Sequence, residues 1–518
     1  MGAARVQPDE PANQTPGQVA GSRAAGYGAQ LAPLGPAETE AVDAQAVALS
    51  AASKRLLPWL VGVALFMESL DTTILNTAVP AVSEALHVGP LSMKAVLASY
   101  TLSLAVFIPI SGWMADKFGT RRLFASAIGI FTLGSVLCGV SSSIHFLVAC
   151  RVLQGCGGAM MVPVGRLTLV RTFAKSELLR AMSFISIPAL VAPMLGPVAG
   201  GLIVGYLHWR YIFFLNVPIG LIGLVLVYLH LPNYREDNVQ PLDFVGLILF
   251  GSGIALLSYV LEIFGEHALS SREVTGLLAL AIFLLIGYVL HARHTDFPLL
   301  HLALFRIRTF RAAVAGGFVT RLGMGGVPFL LPLLYQLGLG YTAIQSGLLI
   351  MPQAIGAGTM KIVLARLLDA IGYRGVLISN TIVIGLLIAA FATIGEHSSV
   401  AYIVALAFAY GLFSSLQYTS MNTLAYADTT EAETSNASSI ASTVQQMAIS
   451  FGVAIAGLVT AFFVPSTPVS RPVDAIHGLH RAFILLGALT VISTSVFAIL
   501  HKGDGDDVSR RRGEHAAE

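Results

Sequence analysis

Residues 67–76 read Met-Glu-Ser-Leu-Asp-Thr-Thr-Ile-Leu-Asn and set two acids, Glu68 and Asp71, inside an apolar run from about Leu56 to Val79. The run is long enough to cross a hydrocarbon layer as a helix. A carboxylate there is costly to keep charged, so an acid in that layer marks function by default. Three residues apart, the two share one helical face, and at such closeness they resist double ionisation. We read the pair as the proton-handling part of a transporter. The plainer alternative is a structural pair held by a buried arginine.

Composition supports a membrane setting. The 518 residues are 55% hydrophobic and 11% charged, against about 25% charged in a soluble globular protein. Most of the chain must therefore lie out of water. A net charge of +2, with no basic patch interleaved with aromatics, argues against a nucleic-acid partner. Cys138, Cys150 and Cys156 fall in apolar runs without CxxC spacing or a histidine at ligand spacing, so they are read as packing residues, with no metal and no disulfide. Residues 1–53, rich in Ala, Gly, Pro and Gln, have no apolar core of signal-peptide length and are expected to form a disordered cytoplasmic tail. Residues 502–518 are expected to form a second one.

Fourteen apolar runs of spanning length follow one another, the last near Ala482–Leu500. An even number puts both chain ends on one side. With the N-terminus inside, sixteen Lys and Arg residues sit at inner ends and five at outer ends, which predicts cytoplasmic termini. The motif D-x-x-G-x-R occurs twice, at Asp116–Arg121 and at Asp369–Arg374, each time between two runs. The repeat predicts two six-helix halves, 54–232 and 309–501, separated by an inserted pair of helices in 243–292. Repeated halves with a site at their interface are a transporter architecture. The expected fold class is an all-α polytopic membrane protein.

The motifs, taken in order, resemble the major facilitator superfamily, and within it the fourteen-helix drug:proton antiporters of the EmrB/QacA type. Leu70–Pro80 is similar to that family's first-helix signature, and GWMADKFGTRR, Gly112–Arg122, to the loop motif shared across the superfamily. RVLQGCGGA, Arg151–Ala159, resembles the fourth-helix motif with its intramembrane arginine, and PMLGPVAGG, Pro193–Gly201, the fifth-helix antiporter motif. Ala192 stands where that last motif usually opens with glycine. WRYIFFLNVPIG, Trp209–Gly220, adds family flavour, and MMVPVGRLTLV, Met160–Val170, with SMNTL, Ser420–Leu424, is most similar to the MdtD-like branch. The resemblance implies the major facilitator fold, a proton gradient as energy source, and no cofactor.

Candidate sites follow. Asp71 is about nine residues from the outer end of its run and Arg151 about five from the outer start of the fourth. The difference is roughly 6 Å in depth at 1.5 Å per residue, so Arg151 is expected to pair with Asp71, with Glu68 the third member of a proton-coupling group. Asp116 is expected to meet orphan backbone donors or the nearby Arg121 and Arg122. The resemblance implies that Gly112, Asp116, Gly119, Arg121 and Arg122, repeated as Asp369 and Arg374, form a conformational lock. A topology-setting turn is the alternative. Pro193, Gly196, Pro197, Gly200 and Gly201 should bend the fifth helix and pack it against the other half, or else mark an ordinary kinked span. Substrate contact is expected from Gln154, Arg321, Gln417, Tyr418, Met421, Asn422, Gln445 and Gln446, any of which could instead be interhelical glue.

The expected function is proton-coupled export of small organic molecules or drugs across the cytoplasmic (inner) membrane. Arg166, Arg321 and Lys361 keep open the export of an endogenous organic anion or its metal chelate, citrate-like in type. A membrane enzyme or sensor is disfavoured, since no nucleophile–base pair, metal cluster or G-x-x-x-x-G-K loop is found. Expected partners are a small-molecule substrate, protons and the lipid bilayer. A monomer is expected, and a periplasmic adaptor protein is left open.

Overall fold

The computed structural model describes residues 51–173, 175–263, 270–430, 433–463 and 472–505. Both expected tails lie almost wholly outside the described residues. Those residues form helices and short connections, with no strand among them. Twelve helical stretches are long and apolar enough to cross a membrane. One of these, Ala343–Thr393, has 51 residues. At 1.5 Å per residue it would be far longer than a hydrocarbon core of about 30 Å. It is two helices, broken where Gly372 leaves helical geometry at φ 76° and ψ 160°. Counting both, and adding Lys175–Tyr206, fits fourteen spans.

In chain order these are α1 Ala51–Ala85, α2 Lys94–Phe118, α3 Thr120–Gly139, α4 Ile144–Thr172, α5 Lys175–Tyr206 and α6 Tyr211–His230. Next come α7 Phe244–Ile263, α8 Ser271–His294 and α9 Arg308–Gly338. The last five are α10 (343–371), α11 (373–390), α12 Val400–Leu424, α13 Thr434–Phe463 and α14 Pro472–Ile492. The first helix outruns its expected end at Val79. Pro80 does not stop it, because Val82 behind the proline is fully buried and Ser83 Oγ donates to Pro80 O at 2.7 Å.

The duplicated motif has duplicated geometry. Gly119, between α2 and α3, adopts φ 90° and ψ 144°, close to the values at Gly372. Positive φ of this kind is open to glycine and strained for other residues, which explains the shared G in D-x-x-G-x-R. The surroundings differ. Thr120 N donates to Tyr234 O, Glu236 N to Asp116 O and Arg121 N to Asn233 Oδ1, at 2.9, 3.0 and 3.2 Å, so the first turn is strapped by the segment after α6. The second turn lines an open cleft of about 410 Å³ with Lys502.

The core decides the overall state of the bundle. At the end marked by Ala85, one apolar cluster runs across both halves, from Ile74, Val79 and Leu97 to Val327, Leu334 and Leu349. Toward the end marked by Asp116 it divides. One cluster is confined to α1–α6, including Leu57, Phe124 and Val164, and another begins at Phe250 and includes Phe310, Leu377 and Leu424. Hydrogen bonds between the halves follow the same division: Gln336 Nε2 donates to Thr77 O at 2.9 Å and Ser450 Oγ to Ala98 O at 3.1 Å. The inserted α7 packs on α2 and α13, while α8 packs on α7 and is largely bare. Its exposed Ile282, Phe283 and Ile286 suit contact with lipid tails rather than water.

Candidate functional site

The Pro and Gly content of α5 brings the halves together. A Cβ at Gly201 would lie 2.5 Å from Ala343 O and 2.9 Å from Ile344 Cα, so that glycine is required for α5 to meet α10. Gly196 and Gly200 turn toward Thr73 and Ile74 of α1, and Gly347 of α10 meets the Pro197 carbonyl. Pro193, Pro197 and Pro188 interrupt the α5 hydrogen-bond ladder. This helix therefore packs against both α1 and the second half.

Close packing around α1 puts Asp71 out of reach of water, at 1% exposure. Arg151 Nη1 donates to Asp71 Oδ2 at 2.5 Å. Gln154 Nε2 and Asn216 Nδ2 both donate to Oδ1, at 2.8 and 3.0 Å. Arg151 also donates to Gln154 Oε1 at 2.8 Å, and its guanidinium stacks 4.2 Å from the centre of the Tyr100 ring. Ser135 Oγ accepts from both Asn216 and Gln154. Helices α4 and α6 thus meet at the carboxylate of α1, and Ser135 ties α3 to the two amides that hold it. Charged hydrogen bonds of this kind are the strong ones, and removing one partner would strand a buried charge.

Glu68, one turn from Asp71 toward the Asp116 end, is treated differently. Its Oε2 is buried without a hydrogen-bond partner, and so is the Tyr100 hydroxyl. Arg166 on α4 and Asp71 are the charged groups that act on Glu68. Asp71 is thus fully held and Glu68 is not.

At the other end, the partner of Asp116 is Arg171, a correction to the expectation of Arg121 or Arg122. Arg171 Nη2 bridges Asp116 Oδ1 at 2.9 Å and Glu236 Oε1 at 2.6 Å. Arg121 and Arg122 lie beyond the chain reversal at Gly119, in the first turn of α3. A Cβ on Gly112 would meet nothing within 4 Å, so in this state nothing packs on it. Asp369 is exposed, no ion pair among the described residues holds it, and Arg374 Nε is buried without a partner. The two copies of the motif are unequal in this respect.

The expected substrate residues separate into two groups. Gln154 is consumed by Asp71. Gln417 is fully buried and joins α12 to α11, accepting from Asn380 Nδ2 and donating to Thr381 Oγ1, both at 2.8 Å. Arg321, Tyr418, Met421 and Asn422 do come together, between α9 and α12. Gln445 and Gln446 are half-buried on α13, which packs along the same part of α9, while Lys361 is exposed. Sequence reasoning missed Asn216, Ser135, Arg171 and Glu236. The only signal for Asn216 was a lone amide in the apolar sixth run. Among the described residues no three His, Cys, Asp or Glu side chains form a metal site.

A bundle of spanning helices around a buried ion pair is the frame of a polytopic membrane protein. The sequence pattern of the Major Facilitator Superfamily matches residues 61–453 and 313–516. Putative multidrug resistance protein MdtD of Escherichia coli O157:H7 is 40% identical over 414 residues, 79% of this chain and 87% of that protein. The same figures hold for the MdtD of Shigella sonnei. Among solved structures, the bacterial homologue of the human lysosomal transporter Spinster, inward-facing and occupied, aligns with TM-score 0.63 at 12% identity, covering 87% of this chain and 97% of that one. The POT family transporter PepTSo aligns with TM-score 0.62 at 14% identity, covering 86% of this chain and 99% of that one. The chain belongs to the Major Facilitator Superfamily, on its MdtD-like branch. It is a multi-pass membrane protein with a small-molecule substrate, and its relatives are transporters rather than enzymes.

Proposed function

We propose that the protein is a proton-coupled antiporter that exports small organic molecules across the cytoplasmic membrane by alternating access. The observation that carries this reading is the fully buried Asp71–Arg151 pair with a less constrained Glu68 one turn away. The charge asymmetry of the loops supports a cytoplasmic Asp116 end, with both termini inside, and an outward Ala85 end. In that orientation the divided core opens inward. Segments 54–232 and 309–501 act as the two rocking bodies, with 243–292 as an accessory pair. Similarity to multidrug resistance relatives supports several lipophilic substrates rather than one.

Glu68 takes up the proton and passes it to Asp71, whose change from carboxylate to neutral carboxyl is felt by Arg151. With Asp71 ionised, Arg151 is held; with Asp71 neutral, the Coulomb attraction is lost and Arg151 can turn toward Gln154 alone. A proton entering from outside favours return to the inward state, and substrate binding there favours its release. Each pH unit of gradient supplies about 1.4 kcal/mol and each 100 mV about 2.3 kcal/mol per charge. Either suffices for roughly tenfold accumulation or more. The test is reconstitution in proteoliposomes with an imposed pH gradient. Substrate-dependent proton movement, lost in Asp71→Asn, is the expected result. Unchanged gradient-driven transport in Asp71→Asn would end the proton role of that residue.

A further inference from the structure

The halves treat their membrane-buried arginines differently. Arg151 has a carboxylate at 2.5 Å. Arg321 on α9 is 3% exposed, yet no carboxylate among the described residues pairs with it. Its Nη2 donates to Asn422 Oδ1 at 3.0 Å, its guanidinium carbon lies 5.2 Å from the Tyr418 ring centre, and its Nε is buried without a partner. An amide oxygen and a ring face offset part of the desolvation of a cation, but neither carries a formal charge. Buried charges in stable proteins are paired or bind something.

The surroundings keep this group in place. A Cβ on Gly317 would come 2.6 Å from Arg321 Nη1 and 3.3 Å from the Met421 sulfur, so the glycine leaves the room that Nη1 occupies. The helices also fix its depth. Gln336 on α9 is tied to Thr77 on α1, and both helices run toward the Ala85 end. Counting back from that tie, nine residues reach Glu68 and fifteen reach Arg321. Arg321 is therefore roughly 9 Å nearer the divided end at 1.5 Å per residue. In depth, Arg321 thus lies between the divided end and the acids.

We infer that Arg321 receives a carboxylate group on the transported molecule, an inference that rests on the antiporter reading. The fork of a guanidinium fits a carboxylate in two-point contact, which an ammonium cannot copy. The substrate class is therefore organic acids, including amphiphilic ones that carry a lipophilic body on the same molecule.

The purified protein is tested with benzoate, succinate and citrate as probes. At least one of them raises the melting temperature of the wild type and leaves that of Arg321→Gln unmoved, and Arg321→Lys gives a weakened response. Without any anion, Arg321→Gln melts no lower than the wild type, because an uncompensated buried cation has been removed. In proteoliposomes with a pH gradient, the stabilising acid is exported and Arg321→Gln reduces that export at least tenfold. The inference is overturned if no probe stabilises the wild type, if the shift persists in Arg321→Gln, or if that variant melts well below wild type without ligand. Export of tetraphenylphosphonium that ignores Arg321, with no carboxylate moved, would sink it while sparing proton-coupled export. Absence of transport for cation and acids alike would remove the antiporter reading itself.

Discussion

Asp71 receives three side-chain donors from two helices, Arg151 and Gln154 of α4 and Asn216 of α6, and its energetics are those of a buried ion in a full set of bonds. Arg151→Met would leave that carboxylate unpaired at 1% exposure, a loss of about 3–5 kcal/mol. The double variant Asp71→Asn with Arg151→Met should melt above Arg151→Met alone, because no ion is then stranded. A double-mutant cycle on melting temperature in detergent checks this, and simple additivity would contradict it. The meeting of Asp71 and Arg151 was legible in the sequence, since two charges on antiparallel spans can be compared by depth alone. Asn216 and Ser135 were not, because a neutral polar residue in an apolar run has no periodicity that fixes its facing. Gln154 was read as a substrate contact for the same reason: its type was visible and its orientation was not.

At the scale of helices and their joints, glycines and one latch carry the testable content. Gly201→Val inserts branched bulk where a single Cβ already lies 2.5 Å from Ala343 O. Overpacking of this kind costs about 1–3 kcal/mol, here borne by the packing of α5 on α10. Cysteines placed at Thr77 or Gln336 should therefore label faster from the Ala85 end in Gly201→Val than in the parent, and equal rates would refute the packing role. A second joint holds the inserted pair. Asp243, just before α7, accepts from His291 Nε2 on α8 at 2.7 Å and from the backbone N–H of Gly246 and Leu299 at 2.7 and 3.1 Å. Burial pushes the Asp243 carboxyl up, but those hydrogen bonds outweigh it and hold the group below its usual 3.8. A depressed carboxyl contributes stability that is fully present above its unfolded value near 4 and is lost as pH falls through the lower folded value. Acid below about pH 4 should thus loosen α7 and α8 first, and Asp243→Asn should do so at neutral pH, by about 1–3 kcal/mol. Hydrogen exchange in the 290–300 segment measures both. The inserted pair itself could be read from the spacing of the two D-x-x-G-x-R turns, but this latch could not. It joins positions 48 residues apart that no motif connects.

For the molecule as a whole, a continuous core at one end and two separate cores at the other are what the proposed alternating-access cycle requires of its inward-open state. Arg166, exposed yet close enough to act on the buried Glu68, should become protected when the Ala85 end opens. Cysteine at 166 is expected to lose at least half its labelling rate when saturating substrate or an outward-stabilising variant shifts the population, and indifference to both would argue for a static bundle. The unequal fastening of the two glycine turns bears on how such a shift is shared. Gly119 is strapped by Tyr234, Asn233 and the Arg171 bridge, whereas its counterpart at Gly372 borders open space. In the proposed cycle, a hinge bolted on one side and loose on the other would make the first six helices the stator and the last six the rotor, so spin labels flanking residue 372 should travel farther during turnover than labels flanking residue 119.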